Sequence, residues 1–484
     1  MKIRNGLLLF IIPSLLIIGI LSSPGCASIV PPLGGPRDTI PPRLVTVSPD
    51  DQSVQIYPNK IVFNFDEYID PKDMRTELIV NPVPKIDPIV DAKLRTLTVR
   101  IKDTLQPNTT YSLNFGNAIR DINEGNILKN FTYVFSTGDH IDKGELSGNV
   151  YLAASGKIDT TLVAMLHLRF DDSSVVKNRP RYIARLDSTG HFVFRNIQPG
   201  AYALYAMKDE GGSHKYLSKG QLFAFADSQV VVARRSQPVT LYAYTEAADT
   251  KPATKSSSGT KPATPKKQTE KEKKEDRRLQ LQTNIANGGF DVLDTLTLKF
   301  ATALKVFDST KIRFTDGNFV DIPSLEYHFS RDSTNKIFSL FYHWPTDAKF
   351  YLIAAKDFAQ DSAGRKLLKI DTITIQTKKE VEYGEVRIRI PNLDLSKNPV
   401  LQFIQGDAVK YSYSFVGRKE FKVQLFQPGE YELRLLFDNN KNGKWDAGEF
   451  FGKHKQPERV IPIGSAKKKF NVKANWDNEV DVTL

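Results

Sequence analysis

The stretch Lys60-Ile61-Val62-Phe63-Asn64-Phe65 alternates apolar and polar positions. Successive side chains of a strand point to opposite faces, so this alternation predicts a β-strand with one buried face. Similar short runs, rich in β-branched and aromatic residues, follow at residues 94–101, 111–115 and 131–136. No stretch of comparable strength shows helical period, and turn residues separate the runs at intervals typical of sandwiches. The sequence therefore predicts an all-β chain of tandem β-sandwich domains.

The length and the cysteine content limit how this chain can be stabilised. A chain of 484 residues is long enough for three or four hydrophobic cores. It contains a single cysteine, Cys26, so no disulfide can form within it. Beyond the first 25 residues, no other apolar run is long enough to span a bilayer. We therefore expect a soluble fold that is stabilised by packed apolar cores.

The first residues have the order of a secretion signal. Two basic residues precede an apolar run over residues 6–22, and Pro24-Gly25 stand directly before Cys26. This order predicts a removable signal peptide over residues 1–25. The segment resembles a bacterial lipoprotein signal, which implies lipid attachment at Cys26, although Ser23 stands where that signal usually has leucine. An uncleaved membrane anchor and an ordinary signal with an incidental cysteine are the alternatives.

Two segments are predicted to connect domains rather than to form them. Residues 26–40 read CASIVPPLGGPRDTI, and their prolines and glycines disfavour helix and strand interiors, so we expect a tether. Residues 246–279 are rich in Lys, Pro, Ala, Thr and Ser, which predicts a disordered linker. Ten basic and four acidic residues between Lys251 and Arg278 supply half of the net charge of +12. Contact of this run with anionic glycan or lipid headgroups is the alternative, whereas the lack of interleaved aromatics argues against a nucleic-acid partner.

Residues 41–138 resemble the bacterial Ig-like domain of surface-layer and other exported proteins, which implies a β-sandwich. Five features carry the resemblance. They are an opening strand that begins with two prolines (residues 41–44), an apolar strand that leads to two acids (61–67), the stretch LQPNTTY (105–111), an acidic turn (121–126) and a closing strand (131–137). The tether contains Gly34-Gly35-Pro36-Arg37-Asp38 after the cysteine. With the signal, this resembles a lipoprotein type common in Bacteroidota.

The second half of the chain repeats the first. Residues 143–245 resemble the transthyretin-like modules of exported proteins, through an Asp-x-x-Gly turn at residues 187–190 and the stretch QPGAYAL at residues 198–204. The stretch QPGEYEL at residues 427–433 aligns with the latter at an offset of 229 residues. We therefore predict a second Ig-like sandwich over residues 280–378 and a second transthyretin-like sandwich over residues 380–484.

One stretch fits the calcium-loop pattern at every defined position. This pattern places oxygen donors on alternate residues of a tightly curled chain, a glycine at the sharp turn, and a final carboxylate that binds through both oxygens. The predicted metal ligands, at positions 1, 3, 5, 7, 9 and 12, are Asp438, Asn440, Asn442, Lys444, Asp446 and Glu449, with Gly443 at position 6. Two of the five side-chain donors are neutral amides, which predicts modest affinity for Ca²⁺.

Two considerations limit the calcium prediction. The flanks alternate as strands, so the loop does not belong to a helix-loop-helix unit, and a plain β-turn rich in Asn, Asp and Gly is the alternative. The aligned stretch 209–216 keeps only the first carboxylate, Asp209, and has Gly220 where Glu449 stands. We expect that first copy to be metal-free.

No sequence motif points to catalysis. The chain has no HExxH, no GxSxG and no phosphate-binding glycine loop, and its seven histidines are scattered. We expect no catalytic residues and a non-enzymatic, lipid-anchored envelope protein that binds another envelope protein, peptidoglycan or a polysaccharide. The alternative is a glycan-binding lipoprotein serving an uptake system. Ala27 after Cys26 lacks an acidic inner-membrane retention signal, and no acidic run follows, so we expect an outer-membrane lipoprotein on the periplasmic face.

Overall fold

Short strands form nearly all of the regular structure of this protein. The structure is a computed structural model that describes residues 37–209, 211–246, 279–286, 288–464 and 469–484. Within these ranges the only α-helices are Met74–Glu77 and Ser174–Lys177, each of four residues. Three single-turn 3₁₀ helices are also present, at Ser309–Lys311, Glu380–Glu382 and Leu395–Lys397. The all-β fold class predicted from the sequence is confirmed.

Several predicted segments lie outside the described residues. These are the signal peptide, Cys26, the tether as far as residue 36, and the linker at residues 247–278. In the part of the chain that is described, no helix is long and apolar enough to cross a membrane. Contacts divide the described chain into two compact units, one ending at residue 141 and one that contains residues 142–484. Residues 81–83 belong to the second unit.

The first unit is a two-sheet sandwich. Its seven strands are β1 Leu44–Ser48, β2 Lys60–Phe65, β3 Ile79–Asn81, β4 Ile89–Lys93, β5 Thr96–Arg100, β6 Thr110–Asn114 and β7 Thr132–Ser136. One sheet has the order β1-β2-β5-β4 and the other β3-β6-β7. Along β2 the residues Ile61, Phe63 and Phe65 are buried while their neighbours are more exposed, as the alternation predicts. Phe63 packs edge-on against Phe115 and Tyr133 of the facing sheet, with ring centroids 5.4 and 5.3 Å apart.

The second unit begins with another sandwich, which we call the second sandwich. Its strands are β8 Gly144–Leu152, β9 Leu162–His167, β10 Tyr182–Arg185, β11 His191–Ile197, β12 Gly200–Lys208, β13 Phe223–Phe225, β14 Val230–Val232 and β15 Val239–Ala243. One sheet has the order β11-β8-β15, and the other β10-β9-β12-β13, with β14 also paired to β12. The last strand, β15, runs parallel to the first strand, β8.

The third sandwich follows the linker. Its strands are β16 Leu281–Thr283, β17 Leu296–Phe300, β18 Leu304–Phe307, β19 Ile312–Asp316, β20 His328–Arg331, β21 Ile337–Phe341, β22 Lys349–Ala354, β23 Ala359–Asp361 and β24 Asp371–Gln376. Its sheets have the orders β16-β17-β21-β20, β19-β22-β24 and β18-β23. Without the additional pair β18-β23, this is the strand order of the first unit. The first unit and the third sandwich, both predicted to be Ig-like, therefore share a strand order.

The fourth sandwich has the strand order of the second. Its strands are β25 Gly384–Arg389, β26 Pro399–Gln405, β27 Ala408–Ser414, β28 Glu420–Phe426, β29 Gly429–Phe437, β30 Arg459–Pro462, β31 Phe470–Val472 and β32 Asp477–Asp481. The sheets are β28-β25-β32 and β27-β26-β29-β30, with β31 paired to β29. Tyr202 and Tyr431, from the aligned stretches, are buried and donate hydrogen bonds to the carbonyls of Gln198 and Gln427 at 2.8 and 2.9 Å. The repeated sequence thus forms the same local contact in both sandwiches.

Candidate metal centre

The predicted calcium loop lies between β29 and β30 of the fourth sandwich. Asp438, directly after β29, is buried, and its carboxylate accepts hydrogen bonds from the backbone N–H groups of Asn442 and Gly443, at 3.2 and 2.6 Å. Gly443 has a φ of 74°, a left-handed conformation that glycine adopts without a steric penalty. The turn therefore curls the chain around the first predicted ligand.

Three further predicted ligands converge within this turn. The side-chain amides of Asn440 and Asn442 both donate to Oδ2 of Asp446, at 2.5 and 2.8 Å. The nitrogen and oxygen of an amide group exchange places when it rotates by half a turn, and the assignment follows the hydrogen-bond network. Here the oxygens of the two amides accept from the backbone N–H groups of Asn442 and Lys444, at 3.1 and 2.7 Å, so both amides would have to rotate for their oxygens to meet the Asp446 carboxylate at one cation.

The structure places Glu449 away from this group. Its carboxylate pairs with Lys453 at 2.8 Å, and its backbone exchanges two hydrogen bonds of 2.8 Å with Lys455. No hydrogen bond joins its carboxylate to the five other predicted ligands within the described residues. The reason is the course of the chain, which leaves the turn after Asp446 and returns only at residue 458. Lys444 stays in the turn, where its backbone N–H donates to Oδ1 of Asn442 at 2.7 Å.

A residue that the sequence reasoning missed, Glu458, takes part in the loop instead. It is 2% exposed, and its two carboxylate oxygens accept from the backbone N–H groups of Asn439 at 2.7 Å and Asp446 at 3.0 Å. Burial raises the pKa of Glu458, and the nearby carboxylates of Asp438 and Asp446 raise it further. The third carboxyl group near Asp438 and Asp446 is therefore that of Glu458, where the sequence pattern predicted that of Glu449.

The donor set of this loop fits calcium better than a transition metal. Its side chains offer carboxylate and amide oxygens, which hard cations prefer, and no imidazole or thiolate. Across the described ranges, no three His, Cys, Asp or Glu side chains are already arranged to hold a metal ion. A calcium site here would therefore depend on the amides of Asn440 and Asn442 and on backbone oxygens in addition to the carboxylates.

The equivalent loop of the second sandwich has a different charge balance. Asp209, which aligns with Asp438, accepts from the backbone N–H of His214 at 3.0 Å, and its carboxylate also pairs with the His214 ring. Although burial opposes it, this contact lowers the pKa of the Asp209 carboxyl group. Gln221 accepts from the backbone of Leu217 at 2.9 Å, as Glu458 does from Asp446. The loop of the second sandwich thus has the neutral residues Leu217 and Gln221 in place of Asp446 and Glu458, and it places His214 beside its remaining acid, Asp209.

A cleft lies next to the candidate metal loop, between the second and fourth sandwiches. It has a volume of about 840 Å³. Its polar lining includes Gln229, Gln237, Thr240, Tyr242, Asn439 and Arg459. The guanidinium group of Arg459 lies 5.3 Å from the ring centroid of Tyr242, which fixes its orientation. Asn439 and Arg459 directly adjoin Asp438 and Glu458, so the metal loop forms part of the cleft wall.

Similar solved structures share little sequence with this chain. Native α2-macroglobulin from Escherichia coli, in its domains MG0-NIE-MG1, is 14% identical, with 41% of this chain and 79% of that chain covered and a TM-score of 0.19. The N-terminal part of the bacterial S-layer protein SbsC is 14% identical, with 40% and 44% covered and a TM-score of 0.16. BcpA, the major pilin subunit of Bacillus cereus, is 8% identical, with 70% and 98% covered and a TM-score of 0.17. These scores are too low to define a common overall fold.

The family comparison identifies one part of the chain. No curated protein matches the sequence. The match to a known family covers residues 38–137, nearly the range predicted for the first Ig-like sandwich. The first sandwich is a bacterial Ig-like domain.

Proposed function

We propose that this protein is a non-enzymatic structural and binding protein of the cell envelope, held at the outer membrane by lipid on Cys26. The bacterial Ig-like domain and the tandem sandwiches support a structural role. The order of residues 1–26 supports the lipid anchor. Ala27 and the lack of an acidic run after Cys26 support the periplasmic side of the outer membrane. Its partner would be another envelope protein, peptidoglycan or a polysaccharide.

The lipid anchor has a direct test. Cells grown with a clickable palmitate analogue are expected to label the wild-type protein and not Cys26→Ser, because only the thiol can carry the diacylglycerol. The Cys26→Ser protein should also move to the soluble envelope fraction. Label that persists in Cys26→Ser would contradict the assignment.

We further propose that the loop of the fourth sandwich binds one Ca²⁺ through Asp438, Asn440, Asn442, Asp446 and Glu458, with the backbone carbonyl of Lys444. The observation that carries this proposal is the contact of two amides with the Asp446 carboxylate in a turn closed by Gly443, with the buried carboxylates of Asp438 and Glu458 nearby. A bound Ca²⁺ would neutralise the negative charges of these carboxylates, and it would stiffen the fourth sandwich. Glu458 replaces Glu449 as the last carboxylate ligand.

Isothermal titration of the purified protein with CaCl₂ tests this site. We expect one site with a Kd of roughly 0.1 mM, in the range of extracellular calcium modules. At free calcium of about 100 times Kd, the fourth sandwich should gain about 2.7 kcal/mol of unfolding free energy. Glu458→Gln should abolish the binding heat, because it keeps the shape and removes the charge. Glu449→Gln is the matched control and should retain the heat; absence of heat in the wild type, or an equal loss in both variants, would refute the assignment.

Glycan binding in an uptake system is the second candidate function, and the cleft favours it. Amide and hydroxyl groups line the cleft together with Arg459 and Tyr242, and such groups can both donate and accept hydrogen bonds with sugar hydroxyls. Retention of the purified protein on immobilised polysaccharide would distinguish this function, since a purely structural protein should elute without delay. Sensitivity of that retention to Arg459→Ala would place the ligand in the cleft.

A further inference from the structure

The candidate metal loop also forms the base of a second loop. We call residues 447–457 the docking loop. Asp446 and Glu458 flank this loop and are joined by two hydrogen bonds of 3.0 Å. The backbone N–H of Asp446 donates to the Glu458 carboxylate, and the backbone N–H of Glu458 donates to the Asp446 carbonyl. The Trp445 indole N–H donates to the Glu458 carbonyl at 2.7 Å. Two of the proposed calcium ligands therefore close the base of the docking loop.

The docking loop inserts an aromatic side chain into the second sandwich. Phe450 is 2% exposed, and its ring centroid lies 4.9 Å from that of Phe225, 5.0 Å from that of Phe223 and 5.8 Å from that of Tyr205. All three of these neighbours lie on β12 and β13. A buried aromatic surrounded by rings is the usual composition of an interface hot spot.

Polar contacts surround this aromatic insertion. The backbone N–H of Phe450 donates to the Glu246 carboxylate at 3.1 Å, and Gln456 donates to the carbonyl of Phe225 at 3.0 Å. The His454 ring contacts the Asp172 carboxylate at 2.6 Å. An apolar centre with polar contacts around it is the arrangement of a specific interface.

The docking loop passes very close to the second sandwich at Gly448. A Cβ atom on Gly448 would lie 2.7 Å from the Tyr244 ring and 2.7 Å from the carbonyl oxygen of Lys455. Real Cβ contacts are not that short, so only glycine allows the loop to pass here. Ordering the eleven residues of this loop for docking costs conformational entropy.

We infer that calcium binding controls the association of the second and fourth sandwiches through the docking loop. This inference rests on the calcium site proposed above. Without a cation, Asp438, Asp446 and Glu458 repel one another at the base of the docking loop. With calcium bound, the base is fixed, and a preordered loop loses less entropy when Phe450 inserts. The linker then serves only as a covalent connection between parts that already bind each other.

Cutting the linker tests this inference on the folded full chain. A specific protease site is inserted between Ser258 and Gly259, the purified protein is cleaved, and the affinity between the two halves is measured in CaCl₂ and in EGTA. We expect the halves to bind at least tenfold more tightly in calcium. Equal affinity in the two buffers, with calcium binding intact by titration, would overturn the inference. Halves that separate in both buffers would overturn the docking itself.

Three variants separate the contributions. Phe450→Ala should weaken the association about 100-fold while retaining the calcium heat, because it removes a buried aromatic and no ligand. Glu458→Gln should make the affinity independent of calcium. Phe319→Ala, which truncates an exposed phenylalanine of the third sandwich, is the matched control and should change nothing. If titration shows no calcium binding but Phe450→Ala still weakens association, the calcium site has failed and calcium control with it, while the interface stands.

Discussion

Replacing Asp361 by asparagine is expected to destabilise the third sandwich by about 3 kcal/mol. Its carboxylate is almost fully buried and accepts from the Arg365 side chain at 2.7 Å, the Thr302 hydroxyl at 2.7 Å and the backbone N–H of Ala363 at 3.0 Å. Asparagine keeps the shape but removes the charge, which leaves the guanidinium without its partner. We place the effect at the low end for buried pairs because Arg365 is 29% exposed.

The pH dependence of this effect has a defined sign. Burial opposes the ionisation of Asp361, but the hydrogen bonds from Thr302 and Arg365 outweigh it and lower its pKa to about 2. A depressed pKa in the folded state stabilises the protein above the ordinary value of 3.8, and this contribution disappears as the pH falls towards 2. The asparagine variant should lack this acid-dependent loss.

Fluorescence of Trp344, which is buried in the core of the third sandwich, follows unfolding in urea once the other two tryptophans, Trp445 and Trp476, are replaced by phenylalanine in every variant compared. The control is Asp321→Asn, which breaks an exposed ion pair with Arg313 in the same sandwich and should cost less than about 1 kcal/mol. Equal effects of the two substitutions would show that burial of Asp361 does not determine its contribution.

Acidification from pH 6.5 to pH 4 is expected to destabilise the second sandwich by about 3 kcal/mol through His167 alone. This side chain is buried, with its ring centroid 5.4 Å from that of Tyr205, and burial lowers its pKa to about 4. Protonation therefore favours the unfolded chain, so the stabilisation is complete above the ordinary pKa of 6.5 and is lost as the pH falls to about 4. At pH 4 the folded-state imidazole is half protonated, so only about 0.4 kcal/mol is still to be lost below that pH.

Hydrogen exchange of peptides from β9 and β12 measures this change at pH 7, 5.5 and 4. His167→Phe should reduce the slope of unfolding free energy against pH, because the phenyl ring occupies the same apolar site and cannot be protonated. His328→Phe changes an exposed histidine of the third sandwich and should leave the slope as it is. A slope that is unchanged in His167→Phe would assign the acid sensitivity of this sandwich to other groups.

Local patterns predicted the strands well because a strand depends on the side-chain alternation of a few adjacent residues. The residues of β2 alternate in burial as their order predicts. The repeated stretches 198–204 and 427–433 form equivalent strands because each tyrosine must both fill the core and satisfy its hydroxyl. These requirements are contained within a few residues of sequence.

The identity of the last carboxylate in the candidate metal loop depends on contacts that local spacing does not contain. Twelve-residue spacing points to Glu449, but the chain between Asp446 and Glu458 leaves to dock on the second sandwich. One signal was available: Gln221 lies two residues before β13 of the second sandwich, and Glu458 lies directly before β30, the corresponding strand of the fourth. The insertion of Phe450 between Phe223 and Phe225 joins residues more than 200 positions apart, so no local pattern could predict it.

The parallel pairing of first and last strands determines how the second and fourth sandwiches carry tension. In each, five residue pairs join the two strands, β8 with β15 and β25 with β32. The first strand of each sandwich is pulled at its start and the last strand at its end. Because the two paired strands run in the same direction, these pulls act along the strands and in opposite directions. The hydrogen bonds between them are then loaded together and in shear, instead of being opened one after another from an end. A chain held by lipid at one end and by a partner at the other would transmit force through these strand pairs.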